Sequence, residues 1–124
     1  MSSERLAIGA VAPDFSLPGV DGKNYSLQSF SGKSIVVIIF SCNHCPYVQA
    51  YEDRMIALQR QYQDKGVSFV AINANETVNY PEDTFEKMVI RAKEKGFNFP
   101  YLRDDSQKVA DAFGAHYTPE IFLL

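Results

Sequence analysis

Apolar positions along this chain change their period several times, and the order of those changes predicts an alternation of strands and helices. Ile35-Val36-Val37-Ile38-Ile39-Phe40 is continuous and β-branched, as in a strand covered on both faces and therefore central in its sheet. From Tyr47 to Lys65 the spacing becomes three and four. Val48, Tyr51, Met55, Leu58 and Tyr62 fall on one side and Gly66 follows as a stop, which predicts an amphipathic helix. Val67 to Asn73 reads as a second strand. Strand, helix and strand in that order imply parallel pairing through a right-handed crossover, hence an α/β fold.

Tyr80-Pro81-Glu82-Asp83 leads into a second expected helix. Its apolar face is Phe85, Met88, Val89 and Ala92, Lys95-Gly96 closes it, and Pro81 suits its first turn. Pro100 to Arg103 is short and extended. Ser106 is placed to cap a third helix carrying Val109, Ala110 and Phe113 before Gly114, and Ile121 to Leu124 is apolar enough for a buried strand. At the other end, Phe15-Ser16-Leu17 and Lys23 to Leu27 alternate around Pro18-Gly19-Val20-Asp21-Gly22, so residues 1–33 are expected to open with a hairpin. With no linker and no internal repeat, 1–124 is expected to form a single domain.

Composition narrows the function classes. Twelve Lys plus Arg against fifteen Asp plus Glu leaves a net charge of -3, so no general positive field draws a polyanion, and nucleic acid is not an expected partner. Phe97, Phe99 and Tyr101 are accordingly read as packing rather than as a platform for bases. The longest apolar run is Ile35 to Phe40, far short of the roughly 20 residues of a membrane-spanning helix, and the first residues lack the pattern of a secretory signal. The expectation is a cytoplasmic protein without a membrane partner.

Two cysteines occur, in the order Cys42-Asn43-His44-Cys45, between the β-branched run and the first helix. Cysteines three positions apart at a helix start can close a disulfide without strain. Unpaired N–H groups and the positive end of the dipole favour a thiolate at Cys42, which makes it the expected nucleophile, with Cys45 as the less exposed resolving thiol. A partly protonated His44 would stabilise that thiolate further and make the disulfide more oxidising. Pro46 marks the helix start. The same cysteine spacing also serves structural zinc, but a closed site requires four ligands and only His44 and His116 could supplement the pair. Two inert buried thiols are the remaining alternative. No cofactor and no metal is expected.

The order of strand, Cys-x-x-Cys, helix, strand, helix, and Thr118-Pro119 before a strand resembles the thioredoxin-like superfamily. Within it, Ala12-Pro13-Asp14-Phe15-Ser16-Leu17, Asp21-Gly22-Lys23, Ser26-Leu27 and Gly32-Lys33 resemble the redoxin and alkyl hydroperoxide reductase/thiol-specific antioxidant (AhpC/TSA) group, which includes thiol-disulfide oxidoreductases of the ResA and TlpA kind. The resemblance implies a three-layer α/β/α fold with a mixed sheet, the N-terminal hairpin as an extension, and reversible dithiol exchange. Its partners would be a protein or small-molecule disulfide and an external dithiol reductant. It also implies that Pro119 is the cis-proline beside the active cysteines, with Thr118 offering backbone groups to an extended substrate.

Two departures bear on mechanism. Peroxiredoxins carry Pro and Thr seven and three residues before the peroxidatic cysteine, where this chain has Ile35 and Ile39, so thiol peroxidase activity is the lesser expectation. A noncatalytic thioredoxin-like binding module is the other alternative. Thioredoxin's buried Asp six residues before its first cysteine is replaced by Val36, and Glu120, beside Pro119, is the candidate proton acceptor, set against an exposed strand-end carboxylate. The family fold continues with a further strand and helix that this chain does not supply. Ile121 to Leu124 is therefore expected to form an exposed apolar edge, with a missing C-terminal segment, a dimer contact or poor stability as the consequence.

Overall fold

The computed structural model describes residues 13–43, 46–75, 77–115 and 120–124, with backbone only for 46–50. Turn chemistry folds the first of these segments back on itself. β1 (Ser16–Pro18) pairs antiparallel with β2 (Asn24–Ser26), the Gly19 N–H donates to the Lys23 carbonyl at 2.7 Å, and Gly22 takes a left-handed φ of 84°. The Tyr25 hydroxyl donates to Asp21 Oδ2 at 2.5 Å, and partial burial together with that carboxylate pushes its pKa up to about 12. The hairpin forms as expected.

A four-stranded sheet follows, in the order β5-β4-β3-β6, formed by β3 (Ile35–Ser41), β4 (Val67–Asn73), β5 (Tyr101–Arg103) and β6 (Glu120–Leu123). β3 and β4 pair in parallel from Ile35 opposite Val67 to Ser41 opposite Asn73, and α1 (Pro46–Tyr62) makes the crossover between them. β4 and β5 are also parallel, joined through α2 (Phe85–Lys95), whereas β6 runs antiparallel to β3. The sheet is mixed. The hairpin attaches to the β5 edge, where the Val20 N–H donates to the Tyr101 carbonyl at 3.0 Å.

Alternation along β3 and β4 sends side chains to two separate cores. Val36, Ile38, Phe40, Val70 and Ile72 pack with Phe15, Leu17 and Phe30 and with Phe113 of α3 (Lys108–Phe113). Val37, Ile39, Phe69 and Ala71 pack with Met55 of α1, Met88 of α2, and Phe99. This is the three-layer arrangement. Phe97 stacks on Phe99 at 4.8 Å between ring centroids and meets Tyr101 edge-on, so the aromatic run is packing, as its lack of basic neighbours implied.

Helix ends agree with the sequence signals at Gly66, Gly96 and Gly114, all left-handed. Two details differ. Gln107, not Ser106, occupies the position before α3; Ser106 Oγ accepts from the Lys108 N–H, and Asp104 Oδ2 accepts from the Ala110 N–H at 2.9 Å. On α1 the buried face holds Glu52, Met55 and Gln59, while Tyr51 and Leu58 are 45% and 41% exposed. Tertiary hydrogen bonding rotates the helix away from its apolar stripe. β5 is too short to pair with the first half of β4, and Gln59 takes its place there, donating to the Val67 carbonyl at 3.0 Å and accepting the Phe69 N–H at 2.7 Å. Glu52 pairs with Arg91 of α2.

Tyr51 and Leu58 instead line an open apolar groove of about 510 Å³ with Val37, Ile39, Phe69 and Ile121. Along β6, Phe122 is buried while Ile121 and Leu123 are exposed, as is Leu124 just beyond it.

Candidate functional site

Parallel strands joined by right-handed crossovers bring their C-terminal ends to one edge of the sheet, where loops, rather than strands, meet. Ser41, Asn73 and Arg103 are in register at that edge, and antiparallel β6 begins there, with Glu120 opposite Phe40. Cys42 is the first residue beyond β3 and Pro46 is the first of α1, as the sequence implied. Cys42 is 1% exposed, which differs from the exposed nucleophile expected at a helix start. In this conformation its sulfur is covered.

Glu120 is also buried, which decides against the exposed strand-end carboxylate. His44, Cys45, Thr118 and Pro119 lie outside the described residues, as does His116. Ile39, at the position of the peroxiredoxin Thr, is a buried strand residue and offers no hydroxyl. Among the described residues no group of three or more His, Cys, Asp or Glu is placed to hold a metal ion.

Beneath the Cys42–Asn43 turn lies a set of polar side chains that periodicity could not reveal. The Asn43 N–H donates to Asp83 Oδ1 at 2.5 Å and the Asn43 side-chain amide to the Glu82 carbonyl at 2.7 Å. The Tyr101 hydroxyl donates to Asn43 Oδ1 at 2.8 Å and accepts from Asn73 Nδ2 at 3.3 Å. That same Asn73 amide donates to Asp83 Oδ1 at 2.9 Å, and Asn75 Nδ2 donates to Asp83 Oδ2 at 3.3 Å. Burial holds the Tyr101 hydroxyl far above its ordinary pKa; the Asn73 hydrogen bond opposes this, while the charges of Asp83, Cys42 and Glu52 add to it. Tyr101 therefore stays a donor to Asn43 across the physiological range.

Arg103 braces these loops from the next strand. Its guanidinium donates to the carbonyls of Asn73 and Asp83 at 3.3 and 3.2 Å, to Asn73 Oδ1 at 3.3 Å, and to the Asn75 carbonyl at 2.5 Å. A planar fork with five donors suits several acceptors at fixed angles; an ammonium would not. Asn73, Asp83 and Asp104 are fully buried; hydrogen bonds meet the Asn73 and Asp83 side chains and Asp104 Oδ2, while Asp104 Oδ1 has no partner among the described residues. The arrangement gives the backbone at Cys42 a rigid floor, made by segments from three separate parts of the chain.

Comparison with known proteins follows the same lines. Residues 8–124 match the model of the AhpC/TSA family. Thiol-disulfide oxidoreductase ResA of Halalkalibacterium halodurans is 32% identical over 116 residues, which are 94% of this chain and 61% of that protein. The solved structure of an uncharacterized conserved protein from Geobacillus kaustophilus superposes with a TM-score of 0.93 at 42% identity, covering 100% of this chain and 66% of that one. The thioredoxin domain of a thiol-disulfide oxidoreductase from Bacteroides vulgatus superposes with a TM-score of 0.80 at 21% identity, over 96% of this chain and 81% of that one. The fold is thioredoxin-like. The chain spans about three fifths of the length of the curated relative it matches.

Proposed function

The chain belongs to the AhpC/TSA family, and from that premise we propose that it is a thiol-disulfide oxidoreductase working through a reversible Cys42–Cys45 disulfide. The observation that carries this reading is the position of Cys42, at the strand-to-helix junction of a thioredoxin-like sheet and three residues before the second cysteine. The Cys42 thiolate attacks a substrate disulfide, forming a mixed disulfide and releasing one substrate thiolate. Cys45, as thiolate, then attacks the Cys42 sulfur, forms the internal disulfide and releases the second substrate thiolate. Two electrons pass from protein to substrate, and an external dithiol returns them.

His44 promotes the thiolate in this scheme, and Thr118 with Pro119 presents backbone to an extended substrate chain. Glu120, buried where β6 begins, is the proposed proton acceptor. Glu120→Gln is expected to move the pH dependence of exchange while leaving the folded fraction unchanged; an unaltered profile removes Glu120 from the mechanism.

The test of the whole reading is equilibration against glutathione buffers, with the Cys42–Cys45 disulfide followed by mass. A poise near about -270 mV makes the protein a reductant of disulfides, and one toward about -120 mV an oxidant. If no internal disulfide forms at any poise, the dithiol mechanism is wrong.

A further inference from the structure

Thiol exchange as written above makes no use of the Asp83 carboxylate, although it is fully buried and lies directly under the cysteine turn. N–H donors converge on it from the Asn43 backbone at 2.5 Å, Asn73 at 2.9 Å and Asn75 at 3.3 Å. Convergent donors are the surroundings of an ionised carboxylate, which can only accept. The peptide whose N–H it holds is the one joining Cys42 to Asn43. Covalent geometry therefore keeps the Cys42 sulfur within about 7 Å of Asp83 Oδ1. An N–H that could otherwise turn toward a thiolate is also committed to Asp83.

We propose that Asp83 is a positioning residue for Cys42, pinning the turn and, as a fixed buried negative charge, disfavouring the thiolate so that the cysteine couple is held more reducing. The proposal rests on the reading of Cys42 as the redox thiol. Its sign is opposite to that of the helix start and His44, both of which favour the thiolate. Other charged or titratable groups of the segments packed here include Glu52 of α1, Glu82 and Asp104 of the adjoining loops, Tyr101 and Arg103 of β5, and Glu120 of β6, with His44 and Cys45 adjacent in sequence. Glu52 is paired with Arg91, and Arg103 is directed at carbonyl oxygens and Asp105. Asp83 hydrogen-bonds to the turn itself.

The test is Asp83→Asn in a chain that also carries Cys45→Ser, so that thiolate ultraviolet absorbance reports one cysteine. The amide keeps an oxygen for the Asn43 N–H and removes the charge. The Cys42 pKa is expected to fall by about one pH unit. In the two-cysteine chain, at a pH above the Cys42 pKa, the equilibrium with glutathione is expected to move toward the dithiol by about three- to tenfold, roughly 15–30 mV. Tyr101→Phe is the control: it removes the hydroxyl bonded to Asn43 Oδ1 without altering charge, and is expected to lower stability with little change in thiol pKa. Asp83→Ser, which also keeps an oxygen acceptor, replaces Asp83→Asn if the latter does not fold. A folded Asp83 variant with an unchanged thiol pKa overturns the proposal, and so does an equal fall in Tyr101→Phe, because loosening the turn would then suffice. If the wild-type chain forms no internal disulfide, the dithiol reading fails on that measurement, while the thiol titration still judges Asp83.

Discussion

Cys42→Ser is expected to abolish disulfide exchange, reducing the rate by roughly a thousandfold or more, with little change in stability. A hydroxyl in place of the sulfur has almost the same size, so the buried site remains filled, but an alkoxide does not form at neutral pH, and Cys45 is left to act without the thiol assigned the first attack. Cys45→Ser is expected to behave differently. It retains the first attack and loses the second, so a mixed disulfide between Cys42 and substrate accumulates and is visible by mass. Turnover of a disulfide substrate with a dithiol donor measures the first result, and the adduct measures the second. A Cys42→Ser chain with wild-type turnover would reverse the assignment of nucleophile.

Arg103→Met is the substitution expected to cost most in stability, about 3–4 kcal/mol in urea titration. The side chain is nearly buried, and the carbonyls of Asn73, Asp83 and Asn75 turn toward its guanidinium. A thioether fills the volume and offers no donor, so the Asp83 and Asn75 carbonyls lose the guanidinium, while the Asn73 carbonyl keeps the Asp104 N–H. Arg103→Lys restores the charge but not the fork, and is expected to recover less than half of the loss. The Asp105 pair contributes little to this figure, because Asp105 is exposed to solvent and its 3.3 Å contact is screened. A loss below about 1 kcal/mol would show that water replaces the guanidinium at no great cost.

What periodicity carries, it carried well here. The β-branched run at 35–40 became the central strand, the three-and-four spacing after it became α1, and glycine stops at 66, 96 and 114 ended helices where a left-handed residue was needed. Cys42 was legible because its position depends only on the junction of two such runs. The polar floor was not, since hydrogen bonds across 40 and 58 residues leave no period in either partner segment. Tyr101 looked like one more aromatic in a packing run, Asp83 like turn residue chemistry, and Asn73 like the polar end of a strand. α1 shows the same effect from the other side: Glu52 and Gln59 are buried because particular partners await them, and no moment computed on apolar residues anticipates that. A signal was nonetheless present in Asn73 and Arg103, polar residues ending strands that are otherwise mostly apolar or aromatic.

The same sequence distances govern when the thiol is covered during synthesis. Cys42 leaves the ribosome well before its floor, for the hydroxyl that holds Asn43 arrives with Tyr101, 58 residues later than Asn43. At bacterial or eukaryotic elongation rates of about 5–20 residues per second that interval lasts roughly 3–12 s. Burial to 1% exposure thus protects the finished protein and not the nascent one. Each newly made chain passes several seconds with the Cys42 thiol not yet enclosed, so its first oxidation state is set by the surroundings of translation rather than by the fold.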